Sequence, residues 1–268
     1  MTLPSLFLSH GAPDLPFSPI PAREFTRGLG RGLEGVRGIV IVSAHWEAAR
    51  PTIGAAPQPE TIHDFGGFDR KLYLQRYPAA TAPQVIAALA AALDAAGIAH
   101  DTDRRRGYDH GVWVPLMLAF PAADLPVVQL SLERGAGAEA CYRLGRALAP
   151  LRAEGILVIG SGSLVHNLGR VGREGSPVPA WAQAFDDWFV DAALAGETGT
   201  LLAFPAGPAE ARIAHPTPEH LMPAYVALGA GNGDPARILH RSFSWGSLSM
   251  TALAFGGDAG AGGTAGRA

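Results

Sequence analysis

The chain has 268 residues, 48% of them hydrophobic and 17% charged, so it is long and apolar enough to bury a substantial core. Its 24 acidic and 21 basic residues give a formal net charge of -3, which argues against a nucleic-acid surface or an anionic membrane as partner. A single cysteine excludes an intramolecular disulfide, and the lack of a spanning apolar stretch or a signal segment leads us to expect a cytoplasmic protein.

Short apolar stretches alternate with helical patterns along the chain. Four stretches are continuously apolar, which is typical of strands buried on both faces: residues 6–9, 38–44, 126–132 and 156–162. Helices are predicted over residues 83–97 and 179–196, the first with Pro83 at its start and Gly97 at its end. Residues 237–256 should add strand.

These elements predict an α/β fold: a single domain with a central mixed, largely parallel sheet covered by helices on both faces. The catalytic domain is expected to span residues 1–256. Residues 257–268 are rich in glycine and alanine, and this composition is typical of a disordered tail.

Three histidines share one sequence pattern, in which an apolar strand is followed by small residues and then an imidazole. They are His10 in "SLFLSHG", His45 in "IVIVSAHW" and His166 in "ILVIGSGSLVHN". In an open α/β sheet, ligands bind beyond the carboxyl ends of the strands. We therefore expect these three imidazoles to meet at one edge of the sheet.

Two further segments bring histidine next to a carboxylate. "GYDHGVWVPL" places His110 beside Asp109, with a helix expected to begin at Pro115. "AHPTPEHLMP" contains His215, Glu219 and His220, with a helix expected to begin near Pro218.

The spacing of five between His215 and His220 does not match one helix face, so at most one residue of this segment should face the common centre. Imidazoles with at most one carboxylate, and no thiolate, suit Zn, Fe(II), Mn or Ni. The residues thus predict a metal-dependent enzyme, with any spare histidine able to carry protons.

Eight motifs in order resemble the DODA-type extradiol ring-opening dioxygenases, a group within the LigB-like extradiol dioxygenases. They are "FLSHGAP", "IVIVSAHW", "TIHDFGGF", "GYDHGVWVPLMLAFP", "PVVQLSL", "GSGSLVHNL", "HPTPEHLMP" and "GSLSM". The resemblance implies a single α/β domain. It also implies insertion of O₂ into a catecholic, DOPA-like substrate to give a ring-opened semialdehyde.

The resemblance also implies roles for individual residues. His10, His45 and His220 would be metal ligands, and Glu219 is the alternative third ligand because the wider extradiol class uses a glutamate. His166 would be the catalytic acid and base, although in some relatives this position is a further ligand, and His110 would face the substrate hydroxyls or O₂. His63, Asp109 and Trp113 are the candidates for substrate contact.

Fe(II) is the expected working metal, and a three-histidine site would also hold Zn(II) in purified or crystallised protein. Two other functions fit the histidines: a non-catalytic binding protein similar to Memo, and a Zn-dependent hydrolase. The expected partners are a small catechol and O₂, with neither nucleic acid nor membrane, and a homo-oligomer is left open.

Overall fold

The continuously apolar stretches form the centre of an eight-stranded sheet in the computed structural model, which describes residues 2–204 and 206–257. The strands are β1 (Ser5–Ser9), β2 (Gly38–Ala48), β3 (Thr52–Gly54), β4 (Asp101–Asp103), β5 (Val127–Glu133), β6 (Ile156–Gly162), β7 (Ala236–His240), β8 (Phe243–Ser244), β9 (Leu248–Ser249) and β10 (Ala252–Phe255). Strands β8 and β9 form a separate small hairpin.

The sheet order is β4-β3-β5-β2-β6-β1-β10-β7. The four central strands β5, β2, β6 and β1 are mutually parallel, whereas β3 and β10 pair antiparallel to their inner neighbours. The prediction of a mixed, largely parallel sheet is therefore confirmed.

Helices cover both faces of the sheet, as predicted. They are α1 (Pro21–Leu29), α2 (Pro83–Ala95), α3 (His110–Ala119), α4 (Ala138–Leu148), α5 (Ala180–Leu194), α6 (Thr198–Leu202), α7 (Ala211–Ala214) and α8 (Met222–Gly231). Helices α2, α4, α5 and α8 share one core with every second residue of the central strands, and α1 and α3 share the other. In β2, for example, Val40 and Val42 face the first core, whereas Ile39 and Ile41 face the second.

Two predicted helix starts were wrong. Helix α3 begins at His110 rather than at Pro115, so Pro115 lies inside the helix. Helix α8 begins at Met222 rather than near Pro218, and all ten of its residues are buried. Its position between α4 and the sheet leaves no polar face for a sequence pattern to reveal.

The tail predicted over residues 257–268 lies outside the described residues except for Gly257. Within the described ranges, no helix has the length and apolarity required to cross a membrane. The extent of the catalytic domain, residues 1–256, stays a prediction.

Gly162, the last residue of β6, has no Cβ, and this lets the segment that carries His220 pack closely against the end of the strand. A Cβ atom on Gly162 would lie 2.1 Å from the carbonyl oxygen of His220, and that oxygen accepts a hydrogen bond from the backbone N–H of Ser163 at 2.8 Å. The segment that carries His220 is thus packed directly onto the end of the strand.

We expect Gly162→Ala to lower the free energy of unfolding by about 1–3 kcal/mol, because the new methyl group meets backbone rather than a flexible side chain. Urea unfolding measures the change. Gly28→Ala, in α1, is the matched control, since a Cβ there meets nothing within 4 Å. Equal unfolding midpoints for the two variants would contradict the close packing.

Candidate active site

The carboxyl ends of β1, β2 and β6 meet at one edge of the sheet and bring the histidines together there. His10 follows β1 directly, and His166 lies four residues beyond the end of β6. His45 differs from the prediction because it lies within β2 rather than after it. The pairing of β2 with β5 is irregular between Val42 and Glu47, and such an irregularity redirects side chains near the end of a strand.

Three imidazoles converge through the same ring nitrogen. The Nε2 atoms of His10 and His45 are 3.1 Å apart, and those of His45 and His220 are 3.3 Å apart. His10 and His220 are buried and His45 is partly buried. Burial, followed by the neighbouring imidazoles, holds the pKa of His10 and His220 well below the ordinary histidine value, and burial lowers the pKa of His45 to about 4. The three rings are therefore neutral at neutral pH.

The proton of the neutral His10 ring is located by its neighbours. The Ser161 hydroxyl donates to the carbonyl of Gly111 at 2.5 Å, so its oxygen accepts from His10 Nδ1 at 3.0 Å. The Gly111 carbonyl is available because Pro115, four residues later, has no N–H to donate to it. His10 therefore carries its proton on Nδ1 and presents the lone pair of Nε2.

The proton of His220 is located in the same way. Its Nδ1 lies 2.9 Å from Oε1 of Glu219, and a carboxylate only accepts hydrogen bonds. His220 therefore also presents an unprotonated Nε2 to the cluster. Glu219 is engaged in orienting His220, which favours His220 over Glu219 as the residue that faces the centre.

The meeting point of these nitrogens fits a metal ion. A single proton on His45 Nε2 could satisfy only one of its two neighbours, whereas a cation would satisfy all three lone pairs. Nitrogens bound about 2.1 Å from a tetrahedral or octahedral metal lie about 3.0–3.4 Å from each other, and the two separations from His45 Nε2, to His10 and to His220, match this range.

His110 adds a fourth imidazole, 4.0 Å from the ring of His45 between centroids. Its backbone N–H and its Nδ1 both donate to Oδ1 of Asp64, each at 3.0 Å. Burial would raise the pKa of Asp64, but the hydrogen bonds from His110 outweigh it and lower the pKa to about 2. Asp64 is not among the residues that the sequence predicted for the site; the signal available was its place in the "TIHDFGGF" motif.

His166 lies beside the cluster with its ring stacked on that of His220, at 3.5 Å between centroids and 8° between planes. Burial lowers its pKa to about 4. Its ring makes no hydrogen bond to any residue in 2–204 or 206–257, so both ring nitrogens are available to a ligand.

His215 lies outside the cluster, in agreement with the prediction that at most one residue of its segment faces the centre. It is buried against Phe185, at 5.3 Å between ring centroids, and its Nε2 donates to the carbonyl of Leu164 at 2.7 Å. His215 therefore supports the loop that carries His166 rather than facing the centre.

Two predicted substrate contacts are placed in the protein interior. Asp109 is fully buried, and its carboxylate accepts from Ser43, Arg106 and Gln129 at 2.7, 2.9 and 2.5 Å. Trp113 is also fully buried, and its indole N–H donates to the carbonyl of Ile62. These contacts favour structural roles for both residues.

The Asp109 network connects the elements that carry two of the histidines. Asp109 immediately precedes α3 and therefore His110. Ser43, which donates to Asp109, also accepts from the backbone N–H of His45 at 3.1 Å, and Arg106 donates to the carbonyl of His45 at 3.3 Å. Ser43 and Arg106, both bound to the buried Asp109 carboxylate, thus hold the N–H and the carbonyl of His45.

We expect Asp109→Ala to lower the free energy of unfolding by about 3–5 kcal/mol, because it leaves a largely buried guanidinium without its partner. Urea unfolding at neutral pH measures this. The exposed Asp101, which pairs with Arg50 at 3.6 Å, provides the control, and Asp101→Ala should cost about 0–1 kcal/mol. A comparable small loss for Asp109→Ala would contradict the network.

His63, the third predicted substrate contact, lies at the outer side of the site. Its Nε2 is 3.2 Å from the carbonyl of Gln75, and its ring packs in an aromatic group with Phe65, Tyr73 and Trp113. Phe65 extends this group to the edge of His110, at 5.8 Å. Contact of His63 with a substrate stays a prediction.

Comparison with known protein families identifies the class to which this fold and site belong. Residues 24–256 match the family described as the catalytic LigB subunit of aromatic ring-opening dioxygenase. The chain is thus an aromatic ring-opening dioxygenase, an enzyme class that acts on an aromatic substrate and O₂.

Individual relatives narrow the class. A protein of Beta vulgaris named "4,5-DOPA dioxygenase extradiol" is 36% identical over 94% of this chain and 96% of its own length, and one of the same name from Escherichia coli K12 is 37% identical over 95% of both. The crystal structure of an uncharacterised Escherichia coli K12 protein superposes with a TM-score of 0.78 at 34% identity, covering 95% of this chain and all of that one. The chain belongs to the DODA-type extradiol dioxygenases of the LigB family. The predictions of this family and of a ring-opening dioxygenase are therefore confirmed.

Proposed function

We propose that the protein cleaves a DOPA-like catechol outside its hydroxyl pair, using Fe(II) held by His10, His45 and His220. The observation that carries the proposal is the convergence of three histidine Nε2 atoms, with those of His10 and His220 lying 3.1 and 3.3 Å from that of His45. Three neutral imidazoles leave further coordination positions open, which a chelating substrate and O₂ require. The same donor set would also accept Zn(II).

Bound Fe(II) supplies Lewis acidity toward a catechol and redox chemistry with O₂. The residues around it set its geometry. Ser161 and Glu219 orient His10 and His220, and hydrogen bonds of this kind fix the ring and raise its basicity as a ligand. Glu219 is therefore assigned outside the ligand set.

His166 and His110 are assigned to proton transfer. A catechol loses two protons when it binds as the dianion, and imidazoles can accept and return protons near neutral pH. The ring nitrogens of His166 are free for this purpose, and its stacking on His220 keeps it beside the metal ligands. His110 has its Nδ1 engaged by Asp64, which leaves Nε2 as its acceptor nitrogen.

The preference for a DOPA-like catechol rests on the names of the relatives. A cytoplasmic location and a homo-oligomer stay predictions.

A catechol panel with anaerobically loaded protein tests the function. L-DOPA, dopamine, protocatechuate and catechol are each added to Fe(II)-loaded and Zn(II)-loaded enzyme, and visible absorbance and O₂ consumption are recorded together. We expect a yellow ring-opened product and matching O₂ uptake with Fe(II) alone, fastest with L-DOPA.

The other outcomes are informative. Product formation without O₂ in the Zn(II) arm would indicate a hydrolase and overturn the proposal. Catechol binding with neither product nor O₂ uptake in either arm would favour a binding role and overturn it as well. A faster reaction with another catechol would retain the chemistry and replace the substrate.

A further inference from the structure

We infer that Asp64 is a positioning residue that holds two imidazoles of the site, His110 and His45, from a single carboxylate. The inference rests on the proposed function, in which His45 binds the metal and His110 takes part in proton transfer. It adds a residue from outside the histidine cluster to the machinery of the reaction.

The carboxylate divides its two oxygens between the two histidines. Oδ1 accepts from both the backbone N–H and the Nδ1 of His110 at 3.0 Å, and Oδ2 lies 3.7 Å from Nδ1 of His45. The contact with His110 is a hydrogen bond and the longer one is electrostatic. The main effect of Asp64 is therefore on His110, with a smaller effect on His45.

The two hydrogen bonds between His110 and Asp64 fix the state of the His110 ring as well as its distance from the carboxylate. Because a carboxylate has no proton to donate, Nδ1 of His110 must carry a proton, and in the neutral ring Nε2 is then the acceptor. The bond to the backbone N–H of the same residue, the first of α3, prevents the carboxylate from following the ring if the ring rotates. Asp64 thus selects both the orientation and the tautomer of His110.

The neighbouring residue supports the ring from a second side. Phe65 meets His110 edge-on at 90° and packs on Tyr73 and Trp113. The segment that supplies the carboxylate therefore also supplies the apolar contact that keeps the ring in place. Gly67, with φ of +80°, turns the chain away immediately afterwards.

Four variants test the assignment: Asp64→Ala, Asp64→Asn, His110→Ala and the double variant Asp64→Ala/His110→Ala. With saturating metal, Asp64→Ala should lower kcat roughly 10–100-fold with a smaller change in KM, the usual size for loss of an orienting partner. Asp64→Asn should retain part of the activity, because its amide oxygen still accepts from Nδ1. In the His110→Ala background, Asp64→Ala should lower kcat by no more than about two-fold.

A second measurement does not depend on turnover. In Zn(II)-loaded protein, the ¹⁵N chemical shifts of the His110 ring should report a proton on Nδ1 in the wild type and a mixture of tautomers in Asp64→Ala. Asp69, in the same loop, is the matched control, since its carboxylate accepts from the backbone N–H of Lys71 and, within the described residues, contacts no histidine. Asp69→Asn should leave both kcat and the His110 shifts unchanged.

The outcomes separate this inference from the proposed function. Wild-type activity within about two-fold in Asp64→Ala, unchanged His110 shifts in that variant, or losses that add fully in the double variant would each overturn the role of Asp64. Full activity of His110→Ala would instead remove the catalytic role of His110. A wild-type protein inactive on every catechol would refute the proposed function, while the ¹⁵N shifts would still decide the role of Asp64.

Discussion

His45→Ala is expected to produce a folded protein that retains less than about one-tenth of the wild-type iron and loses activity by at least about 10³-fold, since even the partners of metal ligands are worth 10–100-fold. His45 should have the largest effect of the three proposed ligands because its Nε2 is the atom that both other Nε2 atoms approach. Its removal separates His10 from His220.

The measurement is iron stoichiometry after anaerobic loading and gel filtration, followed by O₂ uptake with L-DOPA. His100→Ala is the control, because the Nδ1 of His100 lies 3.2 Å from the carbonyl of Ile98 and 3.7 Å from Oδ1 of the exposed Asp94 rather than against the cluster. Stoichiometric iron in His45→Ala would remove His45 from the ligand set. Iron lost equally from both variants would point to a general loss of structure.

His166→Ala is expected to give the opposite combination, with full iron content and a kcat lower by roughly 10²–10⁴-fold, the usual contribution of a positioned acid or base. The expectation follows from the stacked geometry: the ring of His166 lies parallel to that of His220, and the Nε2 atoms that approach His45 at 3.1 and 3.3 Å belong to His10 and His220. A His166 nitrogen nevertheless lies within 4.8 Å of ligand atoms of Glu219 and His220, which is why its role needs this test. The same loading and O₂ assays measure both quantities.

The result decides between the two roles left open for His166. Loss of stoichiometric iron from His166→Ala would make it a ligand rather than an acid and base. His215→Gln serves as the comparison, because the Gln amide can still donate to the Leu164 carbonyl that His215 holds. That variant should keep its iron and most of its turnover.

The sequence predicted the sheet and the site edge because both depend on local patterns. Continuous apolar runs identified the central strands, and the histidine that ended each run had to lie at their common carboxyl edge. The irregular pairing that places His45 inside β2 depends on β5, a neighbour far away in sequence, and no local pattern encodes it.

Local sequence also could not identify which carboxylate lies beside the His110 ring. Asp109 adjoins His110 in sequence, but consecutive side chains at the start of a helix diverge, and that of Asp109 enters the core. Asp64 lies 46 residues away and yet makes the hydrogen bond to His110. Adjacency along the chain thus pointed to Asp109, whereas the carboxylate that meets the His110 ring is that of Asp64.

The proline inside α3 has a consequence for how this enzyme can be improved. Replacing Pro115 with alanine restores a helical N–H directed at the Gly111 carbonyl, and removing a proline from a helix interior stabilises the helix. The restored N–H would share that carbonyl with Ser161, and we expect the shared acceptor to weaken the hydrogen bond of the hydroxyl that orients His10. Selection of variants by heat resistance would therefore favour losing this proline, whereas selection by turnover would retain it.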